Sequence, residues 1–179
     1  AETVIMRMFR GSGLKGLGGI LPVRDNIIRP LINCSRNDIE IFCSNNNISY
    51  ITDSTNKETD YLRNKIRIDL LPYIQKEFNS NIVATLAKTA EILQEEEKYI
   101  YSESLNAYKN CVVKNSYGLE IDLLKLKKYS KNIITRVVRI CFENYNSKLY
   151  NISSKHVDMV ENLINNTSGK KVNLPNGII

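Results

Sequence analysis

Residues 1–19 read AETVIMRMFRGSGLKGLGG, and the fold class turns on how this stretch is parsed. Val4 with Met8, and Ile5 with Phe9, repeat at i and i+4, the spacing that gathers apolar side chains on one helix face. Residues 1–10 therefore read as a helix. No capping residue precedes Ala1, so the helix is expected to start upstream. The segment 11–19, GSGLKGLGG, then stops it. Gly11-Ser-Gly13-Leu-Lys-Gly16 satisfies the string GxGxxG. A dinucleotide loop needs a strand before it and a helix after it, so that pyrophosphate meets a helix N-terminus. Here a helix comes first, so a Rossmann dinucleotide site is set aside. Two readings stay open. One is a glycine helix stop with a flexible loop. The other is an anion-binding turn, in which glycines admit close backbone approach and Arg10 and Lys15 supply charge.

Outward from this stretch, 27–30 reads as a short strand. Ser35 is an N-cap for a helix over 36–46, with Ile39, Phe42 and Cys43 inward and three asparagines at its end. Residues 48–51 alternate like a strand, and Asp53-Ser-Thr-Asn56 is a cluster of turn formers. Asp60 can cap the next helix, whose stripe is Leu62, Ile66 and Leu70. Pro72 is expected to kink or end it. Arg63 and Arg67, at i and i+4, share one face beside that stripe. They either line a groove, or lie over the core and pair with a local carboxylate. Lys65 points away and can pair with Asp69. Residues 77–81 look like a domain boundary. A long helix over 82–109 follows, with Ile82, Leu86, Ala90 and Leu93 on one face. Then come a hairpin over 111–122, turning at Asn115-Ser-Tyr-Gly118, and helices over 131–145 and 154–165. The tail 169–179 alternates weakly around Pro-Asn-Gly and stops before a partner strand returns.

The bulk numbers bound the class. With 179 residues, 42% hydrophobic and 25% charged, the chain can bury a core as one or two globular domains. No apolar run approaches the roughly 18 residues that span a bilayer, and no secretory signal opens the chain. Cys34, Cys43, Cys111 and Cys141 form no CxxC pair and His156 is the single histidine. No metal site is expected, and the thiols read as reduced and mostly buried. His156 reads as a surface or half-buried side chain. The net charge of +6 suits a polyanionic partner. Seven of the nine arginines, Arg7, Arg10, Arg24, Arg29, Arg36, Arg63 and Arg67, precede residue 68. Arginine makes the better bidentate phosphate contacts, so a specific anion site is expected in the first half.

Taken in order, AETVIMRMFRGSGLKGLGG, IIRPL, SRNDIE, ISYITDSTN, YLRNKIRIDLLP and KKVNLPNGI resemble the tRNA(Ile)-lysidine synthases, members of the PP-loop ATP pyrophosphatases. The resemblance covers 1–72 firmly, the helical remainder loosely, and the last dozen residues as a second anchor. It implies an α/β chain that is mainly α. Residues 1–78 would be the C-terminal portion of a Rossmann-like PP-loop nucleotide-binding catalytic domain. Residues 79–168 would be a helical tRNA-binding subdomain with a small hairpin, and 169–179 the start of a linker or C-terminal segment. The implied chemistry uses ATP and Mg2+ to activate C2 of the anticodon cytosine as an adenylate, in tRNA(Ile) with a CAU anticodon. Free lysine then displaces AMP to give lysidine. Arg10, Asp53 and Arg63 would be catalytic. Arg10, Gly11, Ser12 and Gly13 would border the nucleotide. Lys15, Asn56, Asn64 and Arg67 would meet tRNA or lysine. A cytoplasmic protein away from membranes, with room for a homodimer, follows from the same likeness. The family's SGGxDS loop, which holds the ATP phosphates, is not among these 179 residues, nor is the domain that grips the tRNA acceptor region. An internal piece of a longer enzyme, inactive alone, is therefore expected.

Two other classes compete: an RNA-binding helical module without catalysis, and a helical interaction domain whose GxGxxG string is accidental. An SGGxDS motif encoded upstream would favour the ligase. Salt-dependent tRNA binding would separate the other two.

Overall fold

In the computed structural model, residues 1–51, 61–146, 152–166, 169–174 and 177–178 are described. They are mainly helical, with three antiparallel two-stranded hairpins. The chain divides into two compact units, Ala1–Glu97 and Lys98–Ile179.

In the first unit, α1 (Glu2–Phe9) ends where the glycines begin. Gly11 takes φ +68°. Its N–H donates to the Met8 carbonyl and that of Ser12 to the Arg7 carbonyl, both at 3.0 Å. This pair of bonds closes a helix on a left-handed residue and favours glycine there. The loop is not flexible beyond that point. It folds into a one-turn helix, α2 (Leu14–Leu17), and a Cβ on Gly16 would lie 2.5 Å from the Ser12 Cβ. The short strand expected over 27–30 is present as β2 (Ile27–Ile28), paired with β1 (Val23–Arg24), which the sequence pattern did not suggest.

Helix α3 (Arg36–Asn45) starts with a capping box in which Ser35 and Asp38 satisfy each other's backbone N–H. The asparagines end it: Asn46 Nδ2 donates to the Phe42 carbonyl at 2.8 Å, and Asn47 adopts φ +53°. The expected inward face is only partly realised. Ile39 and Cys43 are half-buried, but Phe42 is exposed. Residues 48–51 are not a strand. A strand needs a hydrogen-bonding neighbour, and none lies alongside among the described residues. Tyr50 instead stacks under the Arg36 guanidinium, 5.7 Å from its ring centre. The Asp53–Asn56 turn and the Asp60 cap lie outside the described residues.

Pro72 does not end the next helix. Helix α4 (Leu62–Lys65) passes into a π-helical segment (Ile66–Leu70) and then α5 (Leu71–Glu77), with Pro72 in its first turn. Proline lacks an N–H and its ring would meet the carbonyl of Ile68 in an unbroken α-helix. The wider turn, with Leu71 N–H donating to the Ile66 carbonyl, absorbs that conflict. Ile5, Ile66 and Leu71 form the unit's core, with Ile82 and Leu86 packed against it. Those two belong to α6 (Ile82–Cys111), whose expected stripe holds: Ala90 is buried and Ile82, Leu86 and Leu93 are half-buried.

The second unit begins within α6. The expected hairpin is β3 (Val112–Asn115) and β4 (Gly118–Ile121), in the register Val112 with Ile121 and Asn115 with Gly118. A short α7 (Leu123–Leu126), capped by Asp122, precedes α8 (Lys131–Asn146) and α9 (Ser154–Ile164). The core gathers Ala107, Leu126, Val137, Val138, Val157 and Val160. Thr135 hydrogen-bonds Glu161 between α8 and α9. Half-buried His156 accepts the Ser153 N–H at Nδ1 and so completes the α9 cap. The tail does return: β5 (Asn173–Leu174) pairs with β6 (Gly177–Ile178), so two residues on each side suffice for the bridge. No helix among the described residues is long and apolar enough to cross a membrane.

The thiols differ in environment. Cys111 is buried, Cys43 and Cys141 are half-buried, and Cys34 is exposed, so burial is less general than its composition suggests. Desolvation pushes the Cys141 thiol up from 9.0 to about 12, and burial also raises Cys111. A rise of that size lowers the Cys141 thiolate fraction roughly a thousandfold. Native labelling with a maleimide, read by peptide mass spectrometry, should modify Cys34 first and leave Cys111 and Cys141 until unfolding. Equal rates for Cys34 and Cys141 would contradict the packing.

Candidate functional site

Glu2, Arg63 and Arg67 meet at the first turn of α1, and Arg7 meets the glycine loop that follows its last turn. Glu2 lies in the first turn of α1. Its carboxylate receives Arg67 Nε at 2.5 Å and Arg67 Nη2 at 3.1 Å, one on each oxygen, and Arg63 Nε at 2.7 Å. The i and i+4 spacing brings both arginines to one side of the helix, and Glu2 meets them from more than sixty residues away in sequence. The carboxylate side chain is 19% exposed, while the two arginine side chains are 51% and 45% exposed. Burial raises the Glu2 pKa. The hydrogen bonds and charge of Arg67 and Arg63 together outweigh it, so the group ends below its ordinary value of 4.5. Arg67 is correspondingly raised, first by its bond to Glu2.

Arg7 holds the loop from inside. Its Nη1 donates to the carbonyls of Gly16 at 2.8 Å and Gly19 at 2.7 Å. Gln94 on α6 donates to the Gly18 carbonyl at 2.5 Å. Gly19 itself, at φ +70°, sits where a Cβ would come 3.2 Å from Val4 Cγ2. The loop is thus tied by side-chain hydrogen bonds to both α1 and α6.

Of the seven arginines before residue 68, six are engaged. Arg7 holds the loop, Arg24 pairs with Asp25, Arg29 donates to the Leu21 carbonyl and Arg36 pairs with Glu40; Arg63 and Arg67 share Glu2. Arg10 is the exception. It caps α1, is exposed, and has no side-chain partner among the described residues. Lys15, five residues on, is also exposed without one. The structure therefore places Arg10 at the end of α1, Gly11, Ser12 and Gly13 on the turn that follows, and Lys15 in α2 just beyond it. It also shows that the amides of Gly11 and Ser12 are occupied by Met8 and Arg7 carbonyls. An anion at this turn would meet the two side-chain cations rather than those two N–H groups.

Arg63 and Arg67 take the carboxylate-pairing alternative. A groove of about 520 Å³ lies next to them, lined by Phe9, Leu62, Lys65, Ile66, Asp69, Leu70 and Tyr73. Lys65 faces this groove rather than pointing away, and among the described residues it forms no ion pair with Asp69. The π-helical turn starts one residue later and shifts the expected phase. Asn64 is half-buried beside Arg63. Asp53 and Asn56 lie outside the described residues.

Sequence reasoning missed Glu2, Arg7 and Gln94. One signal existed for Glu2: it is the single carboxylate among residues 1–24, which hold Arg7, Arg10, Lys15 and Arg24. Nothing in spacing pointed to Arg7 or Gln94, because both bond to backbone carbonyls.

Glu2 gives a test. Its lowered pKa means that its stabilisation is complete above 4.5 and is lost as pH falls through the folded-state value. Glu2→Gln should cost roughly 1–2 kcal/mol at pH 7, a figure held down by the exposure of both arginines. The gap from wild type should close on acidification below 4.5. Denaturant unfolding at pH 7 and pH 3 reads both. Equal stability of the two proteins at pH 7 would remove the fork as a structural element.

Residues 1–74 match the family model of the PP-loop domain. Over 182 aligned residues the chain is 40% identical to a tRNA(Ile)-lysidine synthase of Clostridium acetobutylicum, covering 99% of this chain and 39% of that protein. The tRNA(Ile)-lysidine synthases of Clostridium perfringens and Clostridioides difficile are each 36% identical, covering 100% and 99% of the chain and 38% and 39% of those proteins. The chain thus spans well under half the length of the curated relatives it matches. Residues 1–74 are thus similar to the PP-loop domain, and over its whole length the chain is similar to one stretch of the tRNA(Ile)-lysidine synthases.

Proposed function

We propose that this chain is part of a cytoplasmic tRNA-modifying ligase that uses ATP to adenylate the anticodon cytosine of tRNA(Ile) and attaches lysine to give lysidine. One observation carries the assignment to specific residues: Arg10 is the arginine of the first unit left without a partner among the described residues, and it stands on a glycine turn whose backbone is already fixed. Similarity to tRNA(Ile)-lysidine synthases along the entire chain supports the reaction class.

Arg10 then serves as the cation beside the reacting phosphate. The cytosine O2 takes the adenylyl group from ATP as pyrophosphate leaves, and the lysine amine then bonds to C2 as AMP leaves; both steps move negative charge onto phosphate oxygens. A guanidinium carried on a held turn stabilises that charge. Lys15 adds a second cation just beyond the turn. Gly11, Ser12 and Gly13 shape the approach, with Gly11 fixing the direction in which Arg10 leaves the helix. Arg63 is held in place by Glu2, and with Arg67 and Asn64 it forms the neighbouring face for tRNA or lysine. Asp53 and Asn56 complete that face in this reading. Among the described residues no group of three carboxylate, thiol or imidazole side chains could hold a metal ion, and both Glu2 oxygens are taken by arginines. No described side chain is therefore assigned to Mg2+. Residues 1–78 act here as the catalytic portion and 79–168 as the tRNA-binding portion.

The test uses a full-length protein that carries this stretch. Arg10→Ala should lower single-turnover AMP formation by on the order of a hundredfold or more. Arg10→Lys should recover only part, because the planar donor fork is lost. Both variants should melt near wild type, since Arg10 is exposed and unpaired among the described residues. The 179-residue chain alone, without an SGGxDS loop, should form no AMP. Normal turnover by folded Arg10→Ala would take Arg10 out of the active site.

A further inference from the structure

The charge of this protein is unevenly divided. Lys98–Ile179 contains thirteen lysines and arginines against six carboxylates, a net of +7, while Ala1–Glu97 contains twelve against thirteen, a net of −1. In the first unit most arginines are tied to carboxylates or carbonyls. In the second, Lys114, Lys127, Lys128 and Lys131 are exposed and carry no ion pair among the described residues. Such a distribution attracts a polyanion to the second unit without orienting it.

The β3–β4 turn supplies an orienting feature. Tyr117 is 95% exposed, the most exposed aromatic side chain among the described residues. Its backbone is nonetheless fixed. Asn115 Oδ1 accepts the N–H of Tyr117 at 2.9 Å and that of Gly118 at 3.0 Å. Asn115 Nδ2 donates to Glu120 at 3.2 Å, across the ladder. Gly118, at φ +142°, lies against the ring of Tyr145, which would stand 3.4 Å from a Cβ there and is itself 56% exposed. Lys114 sits on the ladder pair next to the turn. The Glu120 carboxylate is the one negative group on this arm and is engaged by Asn115.

A tyrosine on a fixed backbone, with a second ring one residue away and a lysine beside it, has little to gain from packing within the chain. A flat, electron-rich ring in water suits stacking with a nucleobase. We infer that Tyr117 is a stacking ledge for an unpaired nucleotide of the RNA that the second unit attracts. This inference rests on the tRNA reading above and adds to it a residue that reads a base face instead of a phosphate.

Stacking and phosphate contact differ in their salt response, and the test uses that. The full 179-residue chain is titrated with an unmodified tRNA(Ile) CAU transcript across a range of salt. Tyr117→Ala should weaken binding by about tenfold or more with the log–log salt slope unchanged, because no counterion-releasing contact is lost. Tyr117→Phe should bind like wild type. Lys127→Ala with Lys128→Ala should instead flatten the slope. The melting temperature of Tyr117→Ala should match wild type, since the side chain is almost fully exposed. Wild-type affinity for folded Tyr117→Ala, or a changed salt slope, overturns the ledge and leaves the RNA reading standing. Absence of salt-dependent binding by the wild-type chain overturns both.

Discussion

The Glu2 carboxylate has four lone-pair directions and only two side chains to fill them. Arg67 takes both oxygens and Arg63 adds to one of them. Burial of a carboxylate without such partners favours its protonated form, and the two guanidinium groups offset that where α1 is seated. That seating places Ile5 over Ile66 and Leu71 and brings Arg7 under the glycine loop. Arg7 and Gln94 then hold the carbonyls of Gly16, Gly18 and Gly19. The position of Arg10 is thus the end of a chain of constraints that begins at residue 2.

This arrangement sorts the arginines by role. A guanidinium that fills a carbonyl or carboxylate has fewer donors for a ligand, and its charge is partly compensated. Arg7, Arg63 and Arg67 give donors to the scaffold, while Arg10 and Lys15 have no side-chain partner among the described residues. In the second unit the balance is different. Its core is built from Ala107, Leu126, Val137, Val138, Val157 and Val160, so stability comes from apolar burial and the lysines are left for the surface.

Much of the helical framework was legible. The 3.6-residue spacing located α1, α3 and α6, Ser35 marked the start of α3, and the Asn-Ser-Tyr-Gly turn marked the β3–β4 hairpin. The departures each have a local cause. Residues 48–51 alternate like a strand, but alternation describes one side of a sheet and says nothing of a partner. Phe42 was placed inward by spacing, yet no element covers that face of α3 among the described residues. Pro72 is a helix breaker by its chemistry, and the π-helical turn before it let the helix continue while moving Lys65 onto the groove side. In the candidate site, Arg10 and the glycines were visible as a motif. Their supports were not, because hydrogen bonds to carbonyls leave no trace in side-chain spacing.

Helix periodicity, the cap at Ser35, the glycine stop and the motif order that relates this chain to the tRNA(Ile)-lysidine synthases are properties of short segments. Sequence by itself determined them, since each depends on backbone geometry and neighbours within a few residues. Which arginines remain available depends on contacts between segments as distant as Glu2 and Arg67, or Gly18 and Gln94. Only the tertiary structure decided that, because a guanidinium's partner is whatever oxygen the fold brings within about 3 Å of it.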